Sequence, residues 1–220
     1  MMLSLYDGPT AAIVLGGTLL ATLMRCGPGD CWTALLVLAR CGHRRFDAEQ
    51  VRAGFAGQLQ DIRRDGLLRL HPRHSGDREF DEAADALIGQ RSIAGLLAAH
   101  QANRDHRLAL ADIAANTFTQ AAELAPVFGL AGTLISLSHL PSDGIDRNAY
   151  MAAIAMAVHA TLYGLLAAHL VLMPLARLIE RFADREDSAR QQIVDWLTGE
   201  LTLVIAPRVE PSPRQRREVA

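Results

Sequence analysis

Hydrophobic and charged positions are segregated into long blocks along this chain. Three runs contain no aspartate, glutamate, lysine or arginine, and they cover residues 8–24, 124–142 and 148–176. These runs reach or exceed the length of about 17 residues that a helix needs to cross the apolar core of a bilayer. The pattern therefore predicts three membrane-spanning helices, and it excludes both an ordinary soluble globular protein and a disordered chain.

The stretches outside these runs also predict helices, and no segment shows the alternation typical of a strand. Residues 46–70, 78–100 and 104–117 read as helical, and residues 31–40, too short to span, are expected to continue the first helix. The apolar residues at helical spacing are Val51, Phe55, Leu59, Ile62 and Leu67, then Leu87, Ile88, Ile93, Leu96 and Leu97, and finally Ile193, Val194, Trp196, Leu197 and Leu201. The predicted fold class is an all-α integral membrane protein with a helical cytoplasmic domain.

The same blocks divide the chain into four predicted segments. We expect a first membrane helix in residues 1–30 and a cytoplasmic helical region in 31–118. A pair of membrane helices in 119–180 and a cytoplasmic tail in 181–220 would follow.

Arginine placement predicts the orientation. Arginines cluster after the first run, before the second and after the third, whereas residues 141–147 hold one arginine beside two aspartates. By the positive-inside rule, residues 25–118 and 177–220 are cytoplasmic. The 22 basic and 24 acidic residues give a net charge of −2, which argues against nucleic-acid binding as the main role.

Small residues share one face on each of the last two predicted spans. On the second span this face holds Pro126, Gly129, Leu130, Thr133, Ser136 and Leu137. On the third it holds Ala157, Thr161, Gly164 and Ala168. Small residues allow membrane helices to pack closely, and a buried threonine can bond to its own backbone. Both plain helix packing and a packed face that lines a polar path stay open.

The three runs contain no carboxylate, and Glu123 only borders the second. A proton relay through a membrane usually needs carboxylates or histidines that face the interior. The chain alone is therefore a poor proton carrier. His139, His159 and His169 lie in the runs, and His159 is either a proton-transfer group or a neutral histidine bonded to a neighbouring helix.

Three motifs occur in a fixed order: IVLGGTLLATL in residues 13–23, ELAPVFGLAGTLISL in 123–137 and ATLYGLLAAHLVLMPLARLIE in 160–180. Together with IRRDGLLRL in residues 62–70, they resemble the MotA branch of the MotA/TolQ/ExbB proton-channel family over about residues 9–200. The resemblance implies a stator subunit in the bacterial inner membrane that couples ion flow, most commonly of protons, to flagellar rotation.

The resemblance also implies partners and residue roles. Five chains would surround two helices of a MotB-like, peptidoglycan-binding partner that has one spanning helix and supplies a proton-binding aspartate. Glu123 would lie at the inner mouth, Pro126 and Pro174 would couple the channel to the cytoplasm, and Arg63 and His71 would contact the rotor. The expected channel lining comprises Thr133, Thr161, Gly129, Ala157 and Gly164.

The sequence departs from the family pattern, in its helix count and at residue 71 among other places. MotA proteins have four spanning helices, and the first of these is expected to be absent here. His71 stands where the family usually has glutamate, so a charged rotor contact would be weakened or tuned by pH. An ExbB/TolQ-type energiser and a truncated structural homologue are the alternatives.

No other constellation predicts a reaction. Cys26, Cys31 and Cys41 lack zinc-site spacing, and His71 and His74 lack a third ligand. The sequence therefore indicates no enzyme, no metal and no cofactor.

Overall fold

The computed structural model describes residues 8–43, 46–65, 77–90, 92–138 and 147–205, and within these ranges it is helical with no strand. The predicted all-α class is confirmed. The helices are α1 (Gly8–Cys26), α2 (Pro28–His43), α3 (Ala48–Asp65), α4 (Arg78–Gln90), α5 (Ile93–Ser138), α6 (Arg147–Leu166) and α7 (Met173–Ile205), with a π-helical segment at Ala167–Leu172 between the last two.

The chain turns sharply between α1 and α2. Gly27 has φ +89°, a left-handed conformation that favours glycine, and its N–H donates to the carbonyl of Leu23 at 3.0 Å. Pro28 then begins α2, a helix position at which a missing N–H costs little. The two helices meet at 110°. The expectation that residues 31–40 continue the first helix is therefore wrong.

Helix α5 is a single helix of 46 residues, so the stretch predicted at 104–117 and the second predicted span are one element. At about 1.5 Å per residue it is much longer than a bilayer core of about 30 Å. The single helix predicted over residues 78–100 is in fact two. Ser92 separates them because its hydroxyl accepts a bond from the N–H of Ala94 at 3.1 Å, which caps α5.

A π-helical segment, Ala167–Leu172, interrupts the helical run formed by α6 and α7. The N–H of Met173 bonds to the carbonyl of Ala168, five residues earlier. Pro174 follows directly, and in an α-helix its ring would clash with the carbonyl of Leu170. A π-turn ahead of the proline relieves this clash while the helix continues.

Two helical runs are long and apolar enough to cross a membrane, namely Ile93–Ser138 and Tyr150–Thr202. Helices α1 and α2 meet the same criterion only as a bent pair. Among the described residues there are thus two candidate spans, or three if the bent pair counts as one. This confirms the predicted membrane-protein class.

The chain divides into two compact units, and α5 and α7 contribute to both. Unit 1 comprises Met1–Arg45 with His106–Asp184, and unit 2 comprises Phe46–Asp105 with Arg185–Ala220. The core of unit 2 consists of Val51, Phe55, Phe80, Ala83, Ala84, Leu87, Leu96, Ile193, Val194, Leu197 and Leu201.

Several predicted inner-face residues lie in this core, including Val51, Leu87, Leu96 and Leu197. Leu97 was expected on the same face but is exposed, because it follows Leu96 by a rotation of about 100° around the helix. The side chains of Leu59, Ile62 and Ile88, and all of Leu67, lie outside the described part of the chain.

Arg190 connects α7 to the start of α4 within unit 2. Its side chain is only 7% exposed and binds both carboxylate oxygens of Asp77, at 3.0 and 2.8 Å. It also pairs with Glu186 at 2.9 Å and Glu79 at 3.4 Å, and its guanidinium lies 4.2 Å from the ring centre of Phe46. Asp77 in turn accepts the backbone N–H of Glu79 at 3.0 Å and so caps α4.

The charge of Arg190 is strongly favoured despite its burial. Burial by itself lowers the pKa of this guanidinium. The hydrogen bond to Asp77 and the charges of Asp77, Glu79 and Glu186 outweigh burial and raise the pKa above its usual value. Arg190 is therefore a permanent cation at the centre of three carboxylates.

Candidate functional site

Helices α5 and α6 cross in backbone contact at Gly129 and Gly164. A Cβ atom added to Gly164 would lie 2.7 Å from the carbonyl oxygen of Ala125 and 3.1 Å from the Cα of Gly129. A Cβ atom at Gly129 would lie 3.0 Å from the carbonyl oxygen of Ala160. Neither position has room for a side chain, so the two glycines set how closely these helices approach.

Helix α1 packs against the same pair of helices. A Cβ atom at Gly17 would overlap the ring of Phe128 on α5. A Cβ atom at Gly132 would lie 2.9 Å from the Cβ of Ala160 and 3.6 Å from Val14. The apolar part of unit 1 is therefore a three-helix contact built on small residues.

Sequence reasoning missed the polar face of α1. Thr10, Thr18 and Thr22 are buried at four- and eight-residue spacing. The hydroxyl of Thr18 donates to the carbonyl of Val14 at 2.6 Å, and that of Thr22 donates to the carbonyl of Thr18 at 2.7 Å. Hydroxyls at a multiple of four residues inside a charge-free run are the sequence signal that could have revealed this face.

The residues predicted to line the channel fall into two groups. Gly129, Gly164 and Ala157 are buried. The two glycines lie at the crossing of α5 and α6. Thr133 and Thr161 are only partly buried, and each bonds to its own helix: Thr133 to the carbonyl of Leu130 at 2.6 Å and Thr161 to that of Ala157 at 3.4 Å. The threonines are the members of this set that another chain could still reach.

The face predicted for the second span divides in the structure. Gly129 and Ser136 are buried, whereas Leu130 and Leu137 are exposed. At about 100° per residue the predicted positions span an arc of about 120° on the helix, and the edge that holds Gly129 and Ser136 is the part that the single chain covers. The leucines belong to an outer apolar stripe that consists of Val127, Leu130, Leu134 and Leu137.

The residue predicted at the inner mouth has a partner. Glu123 lies three residues before Pro126, and its carboxylate is 3.6 Å from the guanidinium of Arg25, the last charged residue of α1. The next residue, Cys26, donates from its thiol to the side-chain oxygen of Gln120 at 3.3 Å. These two contacts join the end of α1 to α5, and the Glu123 charge is countered by Arg25.

A polar surface continues from Glu123 along α5. Asp112, Asn116 and Thr119 precede Glu123 at helical spacing and line a cavity of about 490 Å³ together with Glu180 of α7. In the described residues, no group of three or more histidine, cysteine or acidic side chains could hold a metal ion. The arrangement gathers side-chain oxygen atoms that can hydrogen-bond to water.

The two prolines lie in different surroundings. Pro126 belongs to the crossing itself, since its Cα is 3.3 Å from a Cβ atom added to Gly164. Pro174 is exposed and follows the π-helical segment.

The remaining candidates are not brought to the crossing. His159 stacks on Tyr163 of the same helix at 6.1 Å, and His169 is exposed in the π-helical segment. Arg63 lies in α3, but its side chain and all of His71 and His139 fall outside the described residues.

Comparison with known proteins places this geometry in a family. Residues 77–192, more than half of the chain, match the model of the MotA/TolQ/ExbB proton channel family. The chain belongs to this family. The resemblance drawn from the three motifs is thereby confirmed, and the chain is a member of a family of membrane channels.

Two relatives of this chain carry chemotaxis and motility names. Chemotaxis protein PomA of Vibrio alginolyticus is 25% identical over 194 residues, which cover 86% of this chain and 75% of PomA. Motility protein A of Cereibacter sphaeroides is 24% identical over 205 residues, which cover 88% of this chain and 77% of the relative. These relatives favour the MotA branch over the ExbB/TolQ-type alternative.

Solved structures share the fold. The flagellar MotAB stator complex from Bacillus subtilis matches with a TM-score of 0.80 at 19% identity, over 98% of this chain and 88% of the matched chain. A C. jejuni MotAB structure matches with a TM-score of 0.77 at 17% identity, over 90% and 79% of the respective chains. At these identities the likeness establishes the fold.

Proposed function

We propose that this chain is a stator subunit that conducts ions, with protons as the expected ion, and couples their flow to flagellar rotation in the bacterial inner membrane. One observation carries the proposal. The chain belongs to a proton channel family, yet its three long apolar runs, residues 8–24, 124–142 and 148–176, contain no aspartate or glutamate. A proton path through these helices needs a carboxylate from elsewhere.

The carboxylate comes from a second chain with a single spanning helix, of the MotB type. This part of the proposal is supported by the likeness of the fold to subunits of MotAB complexes. Several copies of this chain, five by the family resemblance, surround the partner helices. The outer apolar stripe of α5, exposed in the single chain, is a surface that such an assembly or the lipid can cover.

In this assembly Thr133 and Thr161 face the partner's carboxylate. Both hydroxyls already donate to a backbone carbonyl of their own helix. The oxygen lone pairs of each hydroxyl can therefore accept a hydrogen bond from water or from a protonated carboxyl group. Gly129, Ala157 and Gly164 then act by holding α5 against α6, and the threonines are the groups that contact the conducted species.

The ion leaves past Glu123. A bare carboxylate at the mouth would hold a cation, and Arg25 at 3.6 Å reduces that attraction. Both members of this pair are about half exposed, so the pair contributes at most about 1 kcal/mol. Its role is to adjust the charge of the mouth, and it adds little to stability.

Exchanging the charges of this pair tests the assignment. Arg25→Glu places two carboxylates at the mouth and is expected to slow partner-dependent ion flux by up to about fivefold, since an effect of about 1 kcal/mol corresponds to that factor. Adding Glu123→Arg restores an opposite pair and should recover most of the flux. The measurement is flux in vesicles for both single variants and the double variant. A double variant no better than the worse single variant would show that the two residues act independently.

We also propose that Arg63 and His71 contact the rotor. Arg63 keeps the basic position of the family motif, and a titrating His71 would make torque depend on pH near neutrality. Neither an enzymatic role nor a bound cofactor is part of the proposed function.

Swimming by a host that lacks its own stator tests the proposed function. Expression of this chain with its MotB-type partner should restore motility, and Thr133→Ala and Pro174→Ala should each reduce it while the chain still accumulates in the membrane. Gly16→Ala is a suitable control because Gly16 is exposed on α1 with nothing within 4 Å of an added Cβ atom. Unchanged motility in both test variants would contradict the proposal.

A further inference from the structure

The π-helical segment leaves one backbone carbonyl without a helical partner inside the third charge-free run. In an α-helix the carbonyl of His169 would accept a bond from the N–H of Met173, but that N–H bonds to the carbonyl of Ala168. A π-turn would use the next N–H along the chain, which Pro174 lacks. In this described run, the carbonyl of His169 therefore receives no N–H in either the α-helical or the π-helical pattern.

The same residue carries an ionisable side chain. His169 is exposed in the single chain, and it lies within the charge-free run of residues 148–176. Arg177, the first charged residue after this run, is eight positions further on, about 12 Å along the helix. An imidazole is too short to bridge that distance, so His169 has both a polar side chain and an unpaired carbonyl at membrane depth.

Lipid is a poor environment for this combination. An unsatisfied backbone carbonyl is costly in the hydrocarbon region, and irregular backbone at membrane depth occurs where protein buries it or where it lines a water-filled cavity. Ionisable side chains inside a span likewise face the interior of the protein or water. Both polar groups of His169 therefore indicate that this side of the segment faces water or another protein chain.

Packing places His169 at the depth of the proposed inner mouth. Its neighbour Ala168 packs in one cluster with Ala122 of α5, and Glu123 directly follows Ala122. Among the described residues, the charged groups at this depth are Glu123 and, 3.6 Å from it, Arg25 of α1. An imidazole at this depth lies between the middle of the membrane and the cytoplasmic end of the span.

We propose that His169 relays protons between the partner's carboxylate, at the level of Thr133 and Thr161, and the mouth at Glu123. A neutral imidazole has one nitrogen that accepts and one N–H that donates. The accepting nitrogen takes a proton from water, and the other nitrogen then releases its own proton toward the mouth. Rotation of the neutral ring restores the starting tautomer, and the carbonyl of His169 accepts a hydrogen bond from the water on this path. The inference rests on the proposed ion conduction.

The surroundings of residue 169 can be tested without any ion flux. His169→Cys is made in a chain whose Cys26, Cys31 and Cys41 are replaced by serine. Inside-out membrane vesicles that contain this chain and its MotB-type partner are treated with a cationic, water-soluble methanethiosulfonate reagent. The matched control is Val171→Cys, since Val171 is exposed in the same segment but lies on nearly the opposite side of the helix. We expect labelling of His169→Cys and none of Val171→Cys. An unlabelled His169→Cys, or equal labelling of both variants, would overturn the proposal.

Chemical rescue tests the relay itself. His169→Ala should lower partner-dependent proton flux into vesicles at least about tenfold, because a positioned proton carrier typically contributes a factor of about 10²–10⁴. Added imidazole should restore much of this flux, since alanine leaves room for the free ring. Val171→Ala is the control, which should conduct like the unchanged chain and corrects for proton transport by imidazole itself.

Undiminished flux in His169→Ala, or a loss that imidazole does not restore, would overturn the relay. Absence of flux from the unchanged chain with its partner would contradict the proposed function, and the relay with it. The labelling of His169→Cys separates the two cases, because it reports whether residue 169 faces water whether or not ions flow.

Discussion

Replacing Gly164 by alanine is expected to weaken the contact between α5 and α6 and to abolish motility. The added methyl group would lie 2.7 Å from the carbonyl oxygen of Ala125 and 3.1 Å from the Cα of Gly129. Both neighbours are backbone atoms of a long helix and cannot rotate away. Overpacking of this kind costs about 1–3 kcal/mol, and valine should cost more.

The measurement is thermal stability of the detergent-solubilised chain together with swimming. Gly16→Ala is the matched control, since Gly16 is a glycine on a candidate span with open space around it. There the change should be neutral or stabilising by up to about 1 kcal/mol, because alanine is the better helix former. Equal stability of the two variants would mean that α5 and α6 do not approach at Gly164 as described.

Replacing Arg190 by alanine is expected to unfold unit 2 at a much lower denaturant concentration. The change leaves the carboxylates of Asp77, Glu79 and Glu186 together without their shared cation. Removing one partner from a buried ion pair costs about 3–5 kcal/mol. The loss of the stacking on Phe46 at 4.2 Å adds to the effect.

Unfolding of unit 2 in urea can be followed through Trp196, in a background that carries Trp32→Phe. Arg78→Ala provides the control, because Arg78 is 91% exposed and its ion pair within the described residues is with Glu82 of the same helix at 2.9 Å. Loss of that exposed pair should lower the free energy of unfolding by less than about 1 kcal/mol. A similar midpoint for the two arginine variants would show that Arg190 is not a structural centre of this unit.

Local patterns in the sequence predicted the helices and part of the packing. The charge-free runs identified the membrane-spanning class, and the spacing of Ile193, Leu197 and Leu201 identified a buried face. Both signals depend only on neighbours along the chain, since burial follows helical periodicity. The direction of the chain after α1 could not be read in this way, because the Gly27-Pro28-Gly29 sequence marks a break in the helix but does not give its angle.

Contacts between distant residues could not be predicted from one sequence. Arg190 and Asp77 are 113 positions apart, and each looks like an ordinary surface charge in its own segment. The same holds for Arg25 and Glu123, which meet only because α1 and α5 lie side by side. For the candidate channel, the sequence indicated the right helices, but the structure was needed to separate the glycines of the crossing from the accessible Thr133 and Thr161.

The central claim is that this chain forms an ion channel only with a partner that supplies a membrane carboxylate. Proton flux into vesicles tests it most directly, with this chain alone, with its MotB-type partner, and with a partner whose spanning aspartate is changed to asparagine. The account predicts flux with the intact partner and none in the other two cases. Equal flux from the chain alone, or undiminished flux with the asparagine partner, would contradict it.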